Sequence, residues 1–212
     1  MKRFLLFIYI VPLWCFGQNY ISDTTSIDYN AYHVAWSRTA KYPVKVYWRL
    51  TSANVFCMTP IPRANRFTAD PDQDTEPGLL ESYAGSSYDR GHNFSARDAA
   101  CLDQQSYDEC WYDRNITPQT PALNRGAWLQ LEKYCRYLVQ QHDELFIECG
   151  SIGRQGTIGN AGVWIPESCW KVIYHSNGAP EAYLIPNDDE VDDFWAYTID
   201  LNKLEDITGL DL

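Results

Sequence analysis

The sequence predicts an α+β fold: a mixed, mostly antiparallel sheet core with one long central helix. Three observations carry this. Several short segments alternate apolar and polar residues with period two, and one stretch carries an apolar stripe at helical spacing. At 212 residues, 45% hydrophobic and 15% aromatic, the chain can bury one full core but not comfortably two. No repeat or low-complexity tract divides it, so residues 18–212 read as a single domain.

The elements follow in order. Lys2 and Arg3 precede an almost wholly apolar run from Phe4 to Trp14, and Gly17, Gln18 and Asn19 come next. This pattern predicts a signal peptide over 1–17, because a membrane-spanning helix needs about 20 apolar residues. The mature chain is then expected to be secreted or periplasmic, with no membrane association after cleavage. After a short polar stretch, Val44 to Leu50 (VKVYWRL) alternates β-branched and aromatic residues as a strand does. A loop rich in Pro, Asp and Gly runs from about Thr59 to Ser87.

The central helix starts at Thr120, a good N-cap followed by Pro121. Its stripe is Leu123, Ala127, Leu131, Tyr134, Cys135 and Leu138. Strands are predicted at Leu145 to Cys149, Gly162 to Ile165, Trp170 to Tyr174 and Ala182 to Ile185, and a closing helix within Leu201 to Leu212.

Of the seven cysteines, Cys15 falls in the leader. The other six allow up to three disulfides in an exported chain, with Cys101–Cys110 the expected local pair. No C-x-x-C spacing occurs, which argues against a zinc cluster or a thioredoxin-like site. The net charge is −11, unusual for a protein that binds a polyanion. The charges are segregated, however. Arg38, Lys41, Lys45, Arg49, Arg63 and Arg66 lie in a stretch without any acid, whereas Lys203 alone faces the acids from Glu181 onward. The run Asp188-Asp189-Glu190 lacks the glycine and spacing of a calcium loop and reads as a solvated turn.

Chemistry concentrates at Asp89-Arg90-Gly91-His92, with Asn124 and Glu132 downstream on the helix. Cutting a phosphodiester requires a water to lose its proton and the charge on phosphorus to be offset. His92 titrates in the right range to take that proton, and Arg90 is a permanent cation whose fork matches phosphate oxygens. Asn124 offers a neutral oxygen to a hard ion such as Mg²⁺, and Glu132, about two turns on, can hold the ion's waters. Alone, His92 reads equally well as a core histidine, and Glu132 with Arg136 as a surface i,i+4 pair.

Together these residues carry a family resemblance. Through YPVKVYWRL, NRFTADPD, YDRGHNFSARDA, NITPQTPALNRGAWLQLE, VWIPESCWKVIY, AYLIPN and LEDITGLDL, the chain resembles the DNA/RNA non-specific endonucleases of the ββα-metal class over about residues 30 to 212. The resemblance implies an endonuclease acting on DNA and RNA through phosphate contacts, with Mg²⁺ or Mn²⁺ as cofactor. It implies His92 as general base, Asn124 as direct metal ligand, Glu132 in the metal's water shell and Arg90 at the scissile phosphate. Asn115 matches an asparagine that shapes the site and, with Arg90 and Arg63, is expected among the substrate contacts. A transition-state arginine is expected at Arg66, with Arg63 second. The sequence departs from the family pattern at Asn93-Phe94, where Leu-Ala is more usual, putting a bulky ring at the expected rim. A nucleic-acid-binding protein that kept the fold but turns over weakly is the alternative, and a phosphoesterase for small esters a third. Oligomeric state stays open, with a homodimer among the options.

Overall fold

The computed structural model describes residues 23–63, 66–74, 76–176 and 178–212, so the leader at 1–17 lies outside the described residues. Seven strands form one antiparallel sheet in the order β1-β2-β3-β6-β9-β10-β11. They are β1 (Thr24–Asp28), β2 (His33–Ser37), β3 (Tyr42–Thr51), β6 (Glu144–Ile152), β9 (Ser168–His175), β10 (Glu181–Pro186) and β11 (Thr198–Ile199). A separate two-stranded ribbon joins β4 (Asp89–His92) to β5 (Ile116–Gln119), and a second ribbon joins β7 (Gly156–Ile158) to β8 (Val163–Ile165).

The period-two signal at β3 arises because one face is core. Val46, Trp48 and Leu50 are buried, while Lys45, Tyr47 and Arg49 point the other way. The central helix packs on this face. Thr120 caps it as expected: its Oγ1 accepts a hydrogen bond from the Leu123 N–H at 3.2 Å. The first turns are irregular, with a π segment over Leu123–Ala127 in which Gly126 leaves helical geometry (φ −102°, ψ −108°). Regular α-helix follows over Trp128–His142. Trp128, Leu131, Cys135 and Val139 bury against Trp48, Leu50, Ile147 and Ile173 of the sheet. The opposite face is covered by the closing helix Leu201–Thr208, whose Leu204 sits on Trp170, Val172 and Ala182. The sheet is therefore sandwiched between helices, and the functional residues collect on the central-helix side.

The expected Cys101–Cys110 bridge is corrected. Cys101 pairs with Cys57, Cα atoms 5.6 Å apart and 44 residues distant in sequence. Cys110 instead turns into the core, where its thiol donates to the Tyr107 carbonyl at 3.0 Å. Cys110, Cys135, Cys149 and Cys169 are free and buried, so the described residues hold one disulfide, not three. By chain-entropy reasoning, closing a loop of this length stabilises the domain by about 4 kcal/mol. The pair Cys57→Ser/Cys101→Ser should lower the denaturant midpoint accordingly. A reductant should shift the wild type to the same value, and two unmoved midpoints would show that the bridge adds nothing.

Candidate active site

The ribbon β4–β5 delivers the Asp89-Arg90-Gly91-His92 segment, pairing Gly91 with Thr117 and His92 with Ile116. A Cβ at 91 would lie 2.2 Å from Gln119 Oε1 and 2.7 Å from its Cγ, so any larger residue there has to displace the buried Gln119 side chain. The strand is locked to the helix by the Trp128 indole N–H, which donates to the His92 carbonyl at 3.2 Å.

His92 is 8% exposed, and its Nε2 has no hydrogen-bond partner. Its ring packs against Trp111 at 4.8 Å, edge to face, and against Phe67 at 5.1 Å. Burial, with the Arg63 charge adding to it, pulls the imidazole pKa down to about 3. At neutral pH the ring is therefore uncharged, and the same burial makes it a weaker base than a solvated imidazole.

Asn124 and His92 line one cavity of about 370 Å³, together with Glu132 and the arginines Arg63, Arg90, Arg97, Arg125 and Arg136. Asp89 fixes Asn124, accepting from its Nδ2 at 2.9 Å while Arg125 donates to the same carboxylate at 2.7 and 2.6 Å. Burial pushes the Asp89 carboxyl up, but these hydrogen bonds from Arg125 and Asn124 outweigh it and hold the pKa below its ordinary value. With its amide nitrogen committed, Asn124 keeps Oδ1 free of protein donors among the described residues. Glu132 is a 12% exposed side chain with Arg136 Nη2 at 3.7 Å, so the predicted i,i+4 pair exists but forms a cavity wall rather than a solvated surface. Burial raises the Glu132 pKa, against the pull of Arg136 and Lys171. Arg136 is held in turn by Asp98 at 2.8 Å.

Three residues expected at the site or its rim lie elsewhere. Arg66 is drawn outward to Asp108 at 3.0 Å and lines neither this cavity nor its neighbour, whereas Arg63 lines both. Asn115, expected among the substrate contacts, is fully buried. Its Oδ1 accepts from the Phe94 N–H at 2.9 Å, and its Nδ2 donates to the carbonyls of Phe94 and Cys110 at 2.9 and 2.7 Å. Every polar atom of that side chain is spent on backbone. Phe94 also leaves the rim for the core, stacked on Tyr32 at 4.6 Å and edge-on to Trp48 at 5.5 Å.

Arg90 remains at the cavity, its Nη2 anchored to the Leu80 carbonyl at 2.8 Å. Arg97 and Arg125 are new to the site, and Arg136 was expected only as the surface partner of Glu132. Arg125 adjoins Asn124 in sequence, and Arg97 follows Ser95, which caps the short helix Ala96–Ala99. Those adjacencies were the available signal.

An uncharged imidazole at a ribbon's end, an oriented asparagine at a helix start and arginines around their shared cavity make the kind of site expected of a nuclease fold. The chain belongs to the DNA/RNA non-specific endonuclease family, whose model matches residues 17–212. It is 36% identical over 142 residues to a nuclease of Nostoc sp., covering 61% of this chain and 52% of that protein. It is 30% identical over 146 residues to human mitochondrial endonuclease G, covering 60% of this chain and 49% of that one. The chain thus spans about half the length of these relatives. The crystal structure of an EndoG/EndoGI complex matches with a TM-score of 0.75 at 24% identity, over 88% of this chain and 84% of that one, which shows the shared fold.

Proposed function

We propose that this chain is an exported, metal-dependent endonuclease that hydrolyses phosphodiester bonds of DNA and RNA without regard to base sequence. The observation that carries the reading is a cavity where a neutral imidazole meets arginines available to phosphate. Arg63, Arg90 and Arg97 line it with no carboxylate partner among the described residues, so an anionic backbone is attracted locally despite the −11 total. Contacts of this kind go to phosphates, which are the same for every base.

In the proposed reaction His92 takes a proton from water as the water oxygen bonds to phosphorus. The bond from phosphorus to the 3′ oxygen breaks, the departing oxygen takes a proton from solvent and His92 returns its own to solvent, leaving 5′-phosphate and 3′-hydroxyl ends as the family resemblance implies. Arg63 replaces Arg66 as the candidate that offsets charge on the phosphoryl oxygens, with Arg90 beside it. A divalent ion suits the donor set: Asn124 Oδ1 would bind it directly and Glu132 through its waters. When bound, such an ion supplies Lewis-acid stabilisation of the phosphate and leaving oxygen. Among the described residues no cluster of three or more His, Cys, Asp or Glu gathers as a metal cage, so a largely hydrated ion such as Mg²⁺ is the chemical match. Export is supported by the apolar leader and by the Cys57–Cys101 disulfide. Among the described residues no helix is long and apolar enough to cross a membrane.

The test is digestion of plasmid DNA and of RNA with and without a chelator, for wild type and Asn124→Ala. Chelation should abolish cutting of both polymers, and Asn124→Ala should lose most activity while keeping its fold. Undiminished cutting after chelation would reject Asn124 as a ligand. Binding without cutting across added Mg²⁺ and Mn²⁺ would favour the weakly active alternative.

A further inference from the structure

Beside the cavity of His92 and Glu132 lies a second one of about 490 Å³. Arg63, Arg90, Asn124 and Arg125 form a wall common to both. The far sides differ in chemistry. The first continues into Arg97, Glu132 and Arg136, whereas the second continues into Phe67, Tyr88 and Trp111.

The aromatic side is ordered. Trp111 is buried and meets Phe67 edge to face at 5.0 Å, while Phe67 and Tyr88 remain half-buried. Guanidinium groups of the common wall sit by these rings: Arg63 is 5.6 Å from the Trp111 centroid and Arg90 is 5.5 Å from that of Phe67. Phosphate finds its cationic partners on the arginine wall, whereas the far side of the second cavity offers rings. A nucleotide chain whose reacting phosphate lies on the common wall must place its flanking groups in these two unlike cavities. The uncharged, flat group belongs with the rings.

We infer that the second cavity receives the nucleobase of one nucleotide flanking the scissile phosphate, held by stacking on Phe67 and Tyr88. The inference rests on the endonuclease reading and adds a subsite to it. Stacking uses the π face that all bases share, so such a site grips without reading sequence. A base can enter only when it has left the duplex stack, so the favoured substrate is an unpaired or frayed strand.

The experiment is an abasic scan: end-labelled single-stranded oligonucleotides carrying one tetrahydrofuran residue, cut by wild type, Tyr88→Ala and Tyr88→Phe. Stacking of one base is worth roughly 1–3 kcal/mol, so wild-type cleavage at the phosphate flanking the abasic position should fall roughly 5- to 100-fold. The fall should occur on one side of the lesion only. Tyr88→Ala should raise KM on the intact strand with kcat little changed and should flatten the scan, while Tyr88→Phe should behave as wild type. A wild type that cuts the intact strand but shows no one-sided dip, or a Tyr88→Ala variant whose dip persists, overturns the subsite and leaves the endonuclease reading standing. A wild type that cuts no nucleic acid with divalent metal present overturns both.

Discussion

Replacing His92 with alanine is expected to lower kcat/KM on DNA and on RNA by about 10²–10⁴, with KM little affected. The effect should fall on kcat because the imidazole lines the cavity packed against Phe67 and Trp111 and, as the proposed base, acts on the attacking water and not on the polymer's charge. The same substitution should change the response to acid. His92 has a folded pKa pulled below its unfolded value, from 6.5 to about 3. As pH falls below 6.5 the unfolded chain binds a proton that the folded chain refuses, so stability present above that value is lost progressively down to about 3. The loss contributed by this one group is on the order of a few kcal/mol. Thermal melts across that pH window should therefore fall less steeply for His92→Ala than for wild type. An alanine variant with wild-type turnover would refute the assignment of the base, and parallel melting curves would refute the buried neutral state.

How much of this was legible beforehand depended on whether a residue's neighbours in sequence were also its neighbours in space. Strand β3 announces itself because one face is core and the other is not, and Thr120-Pro121 marks the helix start because a cap is local chemistry. Strand β1 went unread because TTSID at the edge of the sheet buries only Ile27 and so shows little alternation. Strand β5 was hidden by Pro118, tolerated in a two-stranded ribbon where a missing N–H costs little. Ranking Arg66 above Arg63 had no periodicity to rest on, because both lie in a loop, and only the Asp108 side chain, distant in sequence, draws Arg66 away. Motif residues indicate what chemistry is available. Which of them face the cavity is a matter of burial and partners.

Asn115 shows the difference most sharply, and its removal should be the most destabilising single change near the site. An amide side chain suits a substrate contact and a backbone bracket equally well, and burial decides for the bracket. Asn115→Ala leaves one N–H and two carbonyls without partners in a fully buried position. At about 1–3 kcal/mol for each orphaned group, partly relieved by relaxation, the expected loss is roughly 3–6 kcal/mol. Set against a total stability on the order of 5–15 kcal/mol, that brings the variant close to unfolding at physiological temperature. For a domain of this size the melting temperature should drop by roughly 10 °C or more. Activity should follow, because Asn93 and Phe94, the residues that Asn115 pins, come directly after His92 in the chain. Asn115→Asp should rescue little, since a carboxylate accepts from the Phe94 N–H but donates to neither carbonyl. Measured at low temperature, where Asn115→Ala is still folded, KM should stay near the wild-type value. A variant that instead melts like wild type while its KM rises would return Asn115 to the substrate contacts.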